Sequence, residues 1–278
     1  MLIQRGGKWG DAAPLEGWSR ETVDDVMAWR EGVRVPASLA AALEAVDLEF
    51  PVLRDKVPVN ALLDGGVGEV FEKAVQASRR GCRCVKIKTR GVPAAELVGL
   101  VERIQDATGG VSVRIDSNRG WDFGMAMRMA EALAGKGVEY FEEPVGGDEM
   151  ERFVRESPVP VALDETLREV SLEELGRFLR AAALVLKPTL MGGFSVCRRF
   201  ADAGGALGMR SVVSACFESG VGIYSLGRFA ASLPLASAAG LDTYSRLEGD
   251  VLQRRLDLGG FVFRANEAMP EVDESVLF

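Results

Sequence analysis

Five charged residues recur at near-equal intervals through the middle of this chain, each closing a short apolar run. They are Lys88 in VKIK, Asp116 in VRID, Glu142 in YFEEP, Asp164 in ALDE and Lys187 in LVLKP, with steps of 28, 26, 22 and 23 residues. One strand, one helix and two loops of an eight-unit parallel barrel take roughly 30 residues. The spacing therefore predicts one charge at the C-terminal end of each successive strand, the face where such barrels do their chemistry. Three carboxylates gathered with two ammonium groups there is an arrangement for catalysis.

The flanking pattern agrees. Strands are expected at 57–63, 83–89, 111–116, 138–144, 160–165, 182–188, 210–217 and 234–242, most of them apolar on both faces. Helical stretches fall between them at 68–80, 93–107, 122–135, 148–156, 171–180, 194–207 and 219–232. Asp122 and Ser171 are candidate N-caps, and Gly81, Gly109, Gly135 and Gly208 stand where helices should stop. Eight strands alternating with seven helices favour an α/β fold of the TIM-like (β/α)-barrel type over a doubly wound sheet.

The ends read differently. Residues 1–56 form a short cap segment, with LIQRGGKWGDAA as its only strand candidate. An imperfect capping box at Ser19-x-x-Thr22 should open one helix, and a second should run from Ala37 to Val46. Residues 57–245 form the barrel, and 246–278 return as a tail that packs with the first segment into a small α+β cap.

Composition narrows the chemistry. The 278 residues include no histidine. That removes histidine bases, Ser–His–Asp triads and histidine-held metals, leaving carboxylates, lysines and an oxygen-bound cation. A net charge of −8 disfavours a nucleic-acid partner. The longest apolar region, 211–240, is interrupted by Glu218, Arg228 and Pro234, so no membrane span or membrane partner is expected. Cys82, Cys84, Cys197 and Cys216 read as reduced thiols, and the start lacks a signal-peptide pattern, which together indicate a cytoplasmic protein. Self-association into a homo-oligomer is compatible with the sequence.

Carboxylates crowded in a low-dielectric site repel unless a cation neutralises them. Oxygen donors without His or Cys suit a hard octahedral ion, most naturally Mg2+. Of Glu142 and Glu143 only one can face the barrel mouth, and the same choice holds for Asp164 and Glu165. Lys86 and Lys88 share a face, expected to be inward, where like charges should lower a lysine's pKa and make it a competent base.

VKIKTR, RIDSNRGW, YFEEPV, ALDET and LVLKPTLMGG, in this order, resemble the enolase superfamily in its muconate-lactonizing-type branch. WGDAAPLEGWSRET, SACFESGVG and AAGLDT extend the likeness toward the o-succinylbenzoate synthase family, from about Lys8 to Asp242. The resemblance implies an enolase-type barrel in which Asp116, Glu142 and Asp164 bind Mg2+. It implies that Lys88 is the base that takes the proton α to a small-molecule carboxylate and then protonates the departing hydroxyl, through an enediolate. Lys187 would stabilise the opposite face, and Lys86, Arg114, Asn118, Ser214 and Gly240 would assist or contact substrate. The activity implied is a carbon–oxygen lyase of menaquinone biosynthesis. N-succinylamino-acid racemases and dipeptide epimerases share much of the pattern, and a non-catalytic barrel is a third reading. Only MLIQRGGK precedes the WGDAAP segment, so a shortened cap is expected.

Overall fold

Gly6 and Gly7 both adopt left-handed backbone (φ 57° and 77°), giving the two-residue turn that joins strands β1 (Leu2–Arg5) and β2 (Lys8–Asp11) as an antiparallel hairpin. The computed structural model of the chain describes residues 1–234 and 236–277. Residue 235 of the expected eighth strand and residue 278 of the tail lie outside the described residues.

Helix α1 (Val23–Ala28) starts three residues later than the Ser19 box implied. Thr22 is its N-cap and exchanges hydrogen bonds with Asp25, while Ser19 Oγ accepts from Leu15 N. Asp25 serves here as the acidic partner in place of the usual Glu or Gln. Helix α2 (Ala37–Asp47) packs directly on β2, with Gly10 against the backbone of Ala42. A Cβ at Gly10 would overlap the Ala42 carbonyl. Gly10→Ala should therefore cost about 1–3 kcal/mol of stability, read as a lowered urea midpoint.

The barrel units follow: β3 (Lys56–Pro58), β4 (Ala61–Leu63), α3 (Val67–Arg79), β5 (Cys84–Lys88), α4 (Ala94–Thr108), β6 (Ser112–Asp116), α5 (Phe123–Leu133), β7 (Val138–Glu142), α6 (Glu149–Glu156), β8 (Val161–Leu163), β9 (Ala183–Leu186), α7 (Pro188–Met191), α8 (Phe194–Ala206), β10 (Arg210–Val213) and α9 (Gly220–Ala231). Strands β4 to β10 form one parallel seven-stranded sheet in sequential order. The helices cover its outer face with apolar stripes, as in α4, where Leu97, Leu100, Val101 and Ile104 are buried. Asp122 caps α5 by accepting from Met125 N.

Three expected elements differ. The strand expected at 57–63 is split into β4, which joins the parallel sheet, and β3, which pairs with the tail instead. The stretch 171–180 is a 3-10 helix, Glu173–Phe178, in which Leu175 and Phe178 are buried three residues apart, matching a threefold period. Gly176 in its middle weakens a full α-helix there. The eighth strand does not form as a strand; 236–240 makes isolated parallel bridges to both sheet edges, Val59↔Ala239 on one side and Ser211↔Ala236 and Ser214↔Gly240 on the other. Backbone bonds from Ala239 N to Pro58 O and from Gly240 N to Val213 O join the two edges. Gly240 allows this approach, since a Cβ there would lie 2.6 Å from Ser214 Oγ.

The tail crosses back through β11 (Val262–Arg264), antiparallel to β3. Beyond it, Val272 packs with Leu252 and Val221 against Leu2 and Trp9 of the first hairpin. No helix among the described residues is long and apolar enough to cross a membrane.

Candidate active site

Register brings the series together. Lys88 pairs with Asp116 across β5–β6, and Asp116 with Glu142 across β6–β7. Glu142 pairs with Ala162, so Asp164, two residues on, returns to the same inward face. Below this charged layer Tyr140, Ala162, Ala183, Val185 and Val212 make a small buried apolar cluster. Strands β5 and β9 lie four positions apart in the ring, which puts Lys88 and Lys187 on opposite sides of the mouth.

The side chains interlock. Lys86 Nζ lies 2.8 Å from Asp116 Oδ2 and 2.6 Å from Glu142 Oε1. Lys88 Nζ donates to Asp116 Oδ2 at 2.6 Å and to Asn118 Oδ1 at 2.7 Å. Lys187 donates to Asp164 and stands 5.8 Å from the centroid of the Trp18 ring. The adjacent-acid choice resolves to Glu142 and Asp164 inward. Glu143 turns away, and Glu165 accepts from Asn118 Nδ2 at 3.1 Å.

Electrostatics correct one expectation. Burial opposes charge on Lys86, but Asp116, Glu142 and Asp164 outweigh it and hold the ammonium above lysine's ordinary range. Lys187 is raised too, burial again opposing and Asp164 prevailing. Neighbouring carboxylates, not the neighbouring lysine, dominate these sites. Asp116 is held low, since Lys86 and Lys88 overcome its burial. Glu142 is pushed up to about 8 by burial, with Asp116 and Asp164 adding to the effect of burial and Lys86 opposing it.

Among the described residues no three acidic, cysteine or histidine side chains converge as a ready-made metal cage. The lysine ammonium groups sit between the carboxylates instead. The donor set nonetheless fits a hard dication. Glu142 Oε2 is buried without a hydrogen-bond partner, an acceptor that a bound cation would satisfy.

A cavity of about 230 Å3 opens above this layer, and Lys86, Lys88, Lys187, Ser214 and Gly240 line it. Asn118 serves Lys88 rather than the cavity wall. Arg114 is the residue the structure moves elsewhere. It is fully buried beneath the cavity, donating to Glu139, Asn60, Ser237 and the Ala238 carbonyl. The bulge beside Arg114 in the β6–β7 register accompanies this, with Val113 opposite Val138 and Arg114 opposite Tyr140. Arg114 thus bonds downward and holds Asn60.

Sequence reasoning missed several lining residues: Leu15 and Trp18 from the first segment, Asn60, Phe217 and Arg246. Asn60 was signalled as a lone polar residue in an apolar strand. Phe217 has a left-handed backbone (φ 62°) and an exposed ring, neither visible in sequence. Asn118, Arg119 and Glu143 are left-handed as well, so four of the five such non-glycine residues among the described residues lie on loops around the site. A larger groove of about 730 Å3 adjoins at Trp18 but holds none of the charged series.

Residues 69–269 match the model described as enolase C-terminal domain-like. The chain is 34% identical over 258 residues to an o-succinylbenzoate synthase of Thermobifida fusca (strain YX), covering 90% of this chain and 76% of that one. Its fold is similar to a muconate cycloisomerase from Pseudomonas fluorescens, with TM-score 0.87, 20% identity and coverage of 99% and 91%. It is also similar to the L-Ala-D/L-Glu epimerase of Bacillus subtilis, with TM-score 0.81, 20% identity and coverage of 95% and 87%.

Proposed function

This chain belongs to the enolase C-terminal domain-like family, and from that premise we propose that it catalyses syn-dehydration of 2-succinyl-6-hydroxy-2,4-cyclohexadiene-1-carboxylate to o-succinylbenzoate. The observation that carries the proposal is the opposed pair Lys88 and Lys187 across one small cavity, with Asp116, Glu142 and Asp164 between them in the ring. The o-succinylbenzoate synthase relative supports the choice of substrate.

Lys88 takes the proton from the carbon α to the carboxylate, and the C–H electron pair passes into the carboxylate. The pair then returns to form the new double bond as the C–O bond at the ring hydroxyl breaks. The proton held on Lys88 Nζ goes to the departing oxygen, giving water on the same face. To act as base Lys88 must first leave Asp116 and lose its own proton; Asn118 is placed to keep its Nζ aligned. Lys187, held charged, faces the developing negative charge from the other side. Asp116, Glu142 and Asp164 would hold Mg2+, which supplies positive charge at the substrate carboxylate. Leu15 and Trp18 form one apolar wall of the cavity.

In this reading residues 1–56 and 246–278 make the cap and 57–245 the catalytic barrel, supported by the packing of Leu2 and Trp9 on Leu252 and Val272. A cytoplasmic location is part of the proposal, in keeping with four free buried cysteines.

A second reading, racemisation or epimerisation of acylated amino acids, is favoured by the two opposed lysines. Against it, the 236–242 segment ends in a single acid, Asp242, which lines the cavity but already accepts from Leu62 N at 2.8 Å. Incubation with N-succinyl amino acids in D2O separates the two. The dehydratase reading expects little Cα deuterium beside rapid dehydration of the cyclohexadiene substrate; the reverse pattern would reassign the activity.

A further inference from the structure

Glu143, the acid that turns away from the cavity, is tied to all three loops that carry the inward carboxylates. It directly follows Glu142 and is fully buried, with a left-handed backbone (φ 42°). Its carboxylate accepts from Asp164 N at 2.8 Å, Thr166 N at 3.0 Å and Thr166 Oγ1 at 2.6 Å. On its other side Arg119 donates to it through Nε at 2.9 Å and Nη2 at 2.7 Å. Arg119 N also donates to the Glu143 carbonyl at 2.8 Å, and Glu143 N to Ala162 O at 3.1 Å. Arg119 stands three residues after Asp116, and its guanidinium continues to Glu169 beyond the β8 loop.

We infer that Glu143, with Arg119 and Thr166, is a positioning residue that presets the three inward carboxylates for a dication. The inference rests on the metal-site reading. Lys86, Lys88 and Lys187 pair with these carboxylates in the metal-free chain, and a dication that displaced the ammonium groups would need the three loops held from outside the cavity. A buried anion joined to a donor on each flanking loop supplies that fixation without touching the ion or the substrate. The left-handed backbone at Asn118, Arg119 and Glu143 marks where the chain is bent to reach this hub. Glutamine in its place would turn an amide NH2 toward one of the donors that in this chain meet a carboxylate oxygen.

The test is a calorimetric titration of the metal-free full chain with MgCl2, comparing the native protein, Glu143→Gln and Thr166→Val. It is paired with hydrogen exchange at the Asp164 and Thr166 amides without metal. Glu143→Gln should weaken Mg2+ binding roughly 10- to 100-fold, as loss of an outer partner of a metal ligand does. Thr166→Val should shift it less, in the same direction. Exchange at both amides should quicken in Glu143→Gln while the melting transition stays cooperative. A folded Glu143→Gln with native affinity and native exchange overturns the inference. If the native chain binds no Mg2+, the metal-site reading fails by itself and exchange alone decides positioning: faster at Asp164 and Thr166 supports it, unchanged refutes it. If Glu143→Gln does not fold, Thr166→Val decides by the same two measurements.

Discussion

Lys88→Ala should lower turnover of the cyclohexadiene carboxylate by about 10²- to 10⁴-fold, the range lost with a positioned acid–base group. The lysine is 27% exposed at the side chain, against 9% for Lys86, so it is the more open of the inward pair on β5. It alone bonds both Asp116 and Asn118, which fixes its Nζ at the mouth. The same substitution should leave Mg2+ affinity intact or tighter, because it removes an ammonium 2.6 Å from Asp116 Oδ2. Steady-state kinetics with calorimetry on one preparation checks both. Activity lost in proportion to Mg2+ affinity would assign Lys88 a structural part instead of the base's role.

Mg2+ should stabilise the folded chain strongly, and its removal by chelation should abolish turnover. At 100 times its dissociation constant a ligand specific to the folded state adds about 2.7 kcal/mol. For a domain of this order that moves the melting temperature by about 5–10 °C. The sign of the pH dependence follows from Glu142, whose carboxyl is raised from 4.5 to about 8 by burial and by Asp116 and Asp164. A raised carboxyl binds its proton more tightly in the folded chain, so its contribution to metal-free stability falls as pH rises from about 4.5 through about 8. A dication needs the ionised form and offsets that loss. The Mg2+-induced rise in melting temperature should therefore be larger at pH 8 than at pH 6, measurable by differential scanning calorimetry. An equal shift at both pH values would remove Glu142 from the ligand set.

The barrel was legible because its period is written in charges as well as in apolar runs. Lys88, Asp116 and Glu142 emerged on neighbouring strands in direct register, as their spacing implied. The last unit was less legible. Among the described residues of that stretch, 236, 239 and 240 bridge only at single positions, and Gly240 allows close approach to Ser214 in place of a regular ladder. Periodicity also could not choose between Glu142 and Glu143, since that depends on where the strand ends and the left-handed turn at Glu143 begins. Arg114 shares its face with Asp116, but its expected contact with substrate came from the family resemblance alone. The half-buried Glu139 that draws it downward enters through a register shift that no spacing rule reveals. Trp18 and Phe217 reached the cavity by tertiary approach from loops, which carry no period at all.

One measurement bears most directly on the charged series as a Mg2+-dependent lysine acid–base site. The purified chain is given the cyclohexadiene carboxylate with and without Mg2+, and o-succinylbenzoate is followed by ultraviolet absorbance. The expected result is product formation that requires Mg2+ and falls at least about 100-fold with Lys88→Ala. No product from a folded, Mg2+-loaded chain, or undiminished turnover by Lys88→Ala, would contradict it.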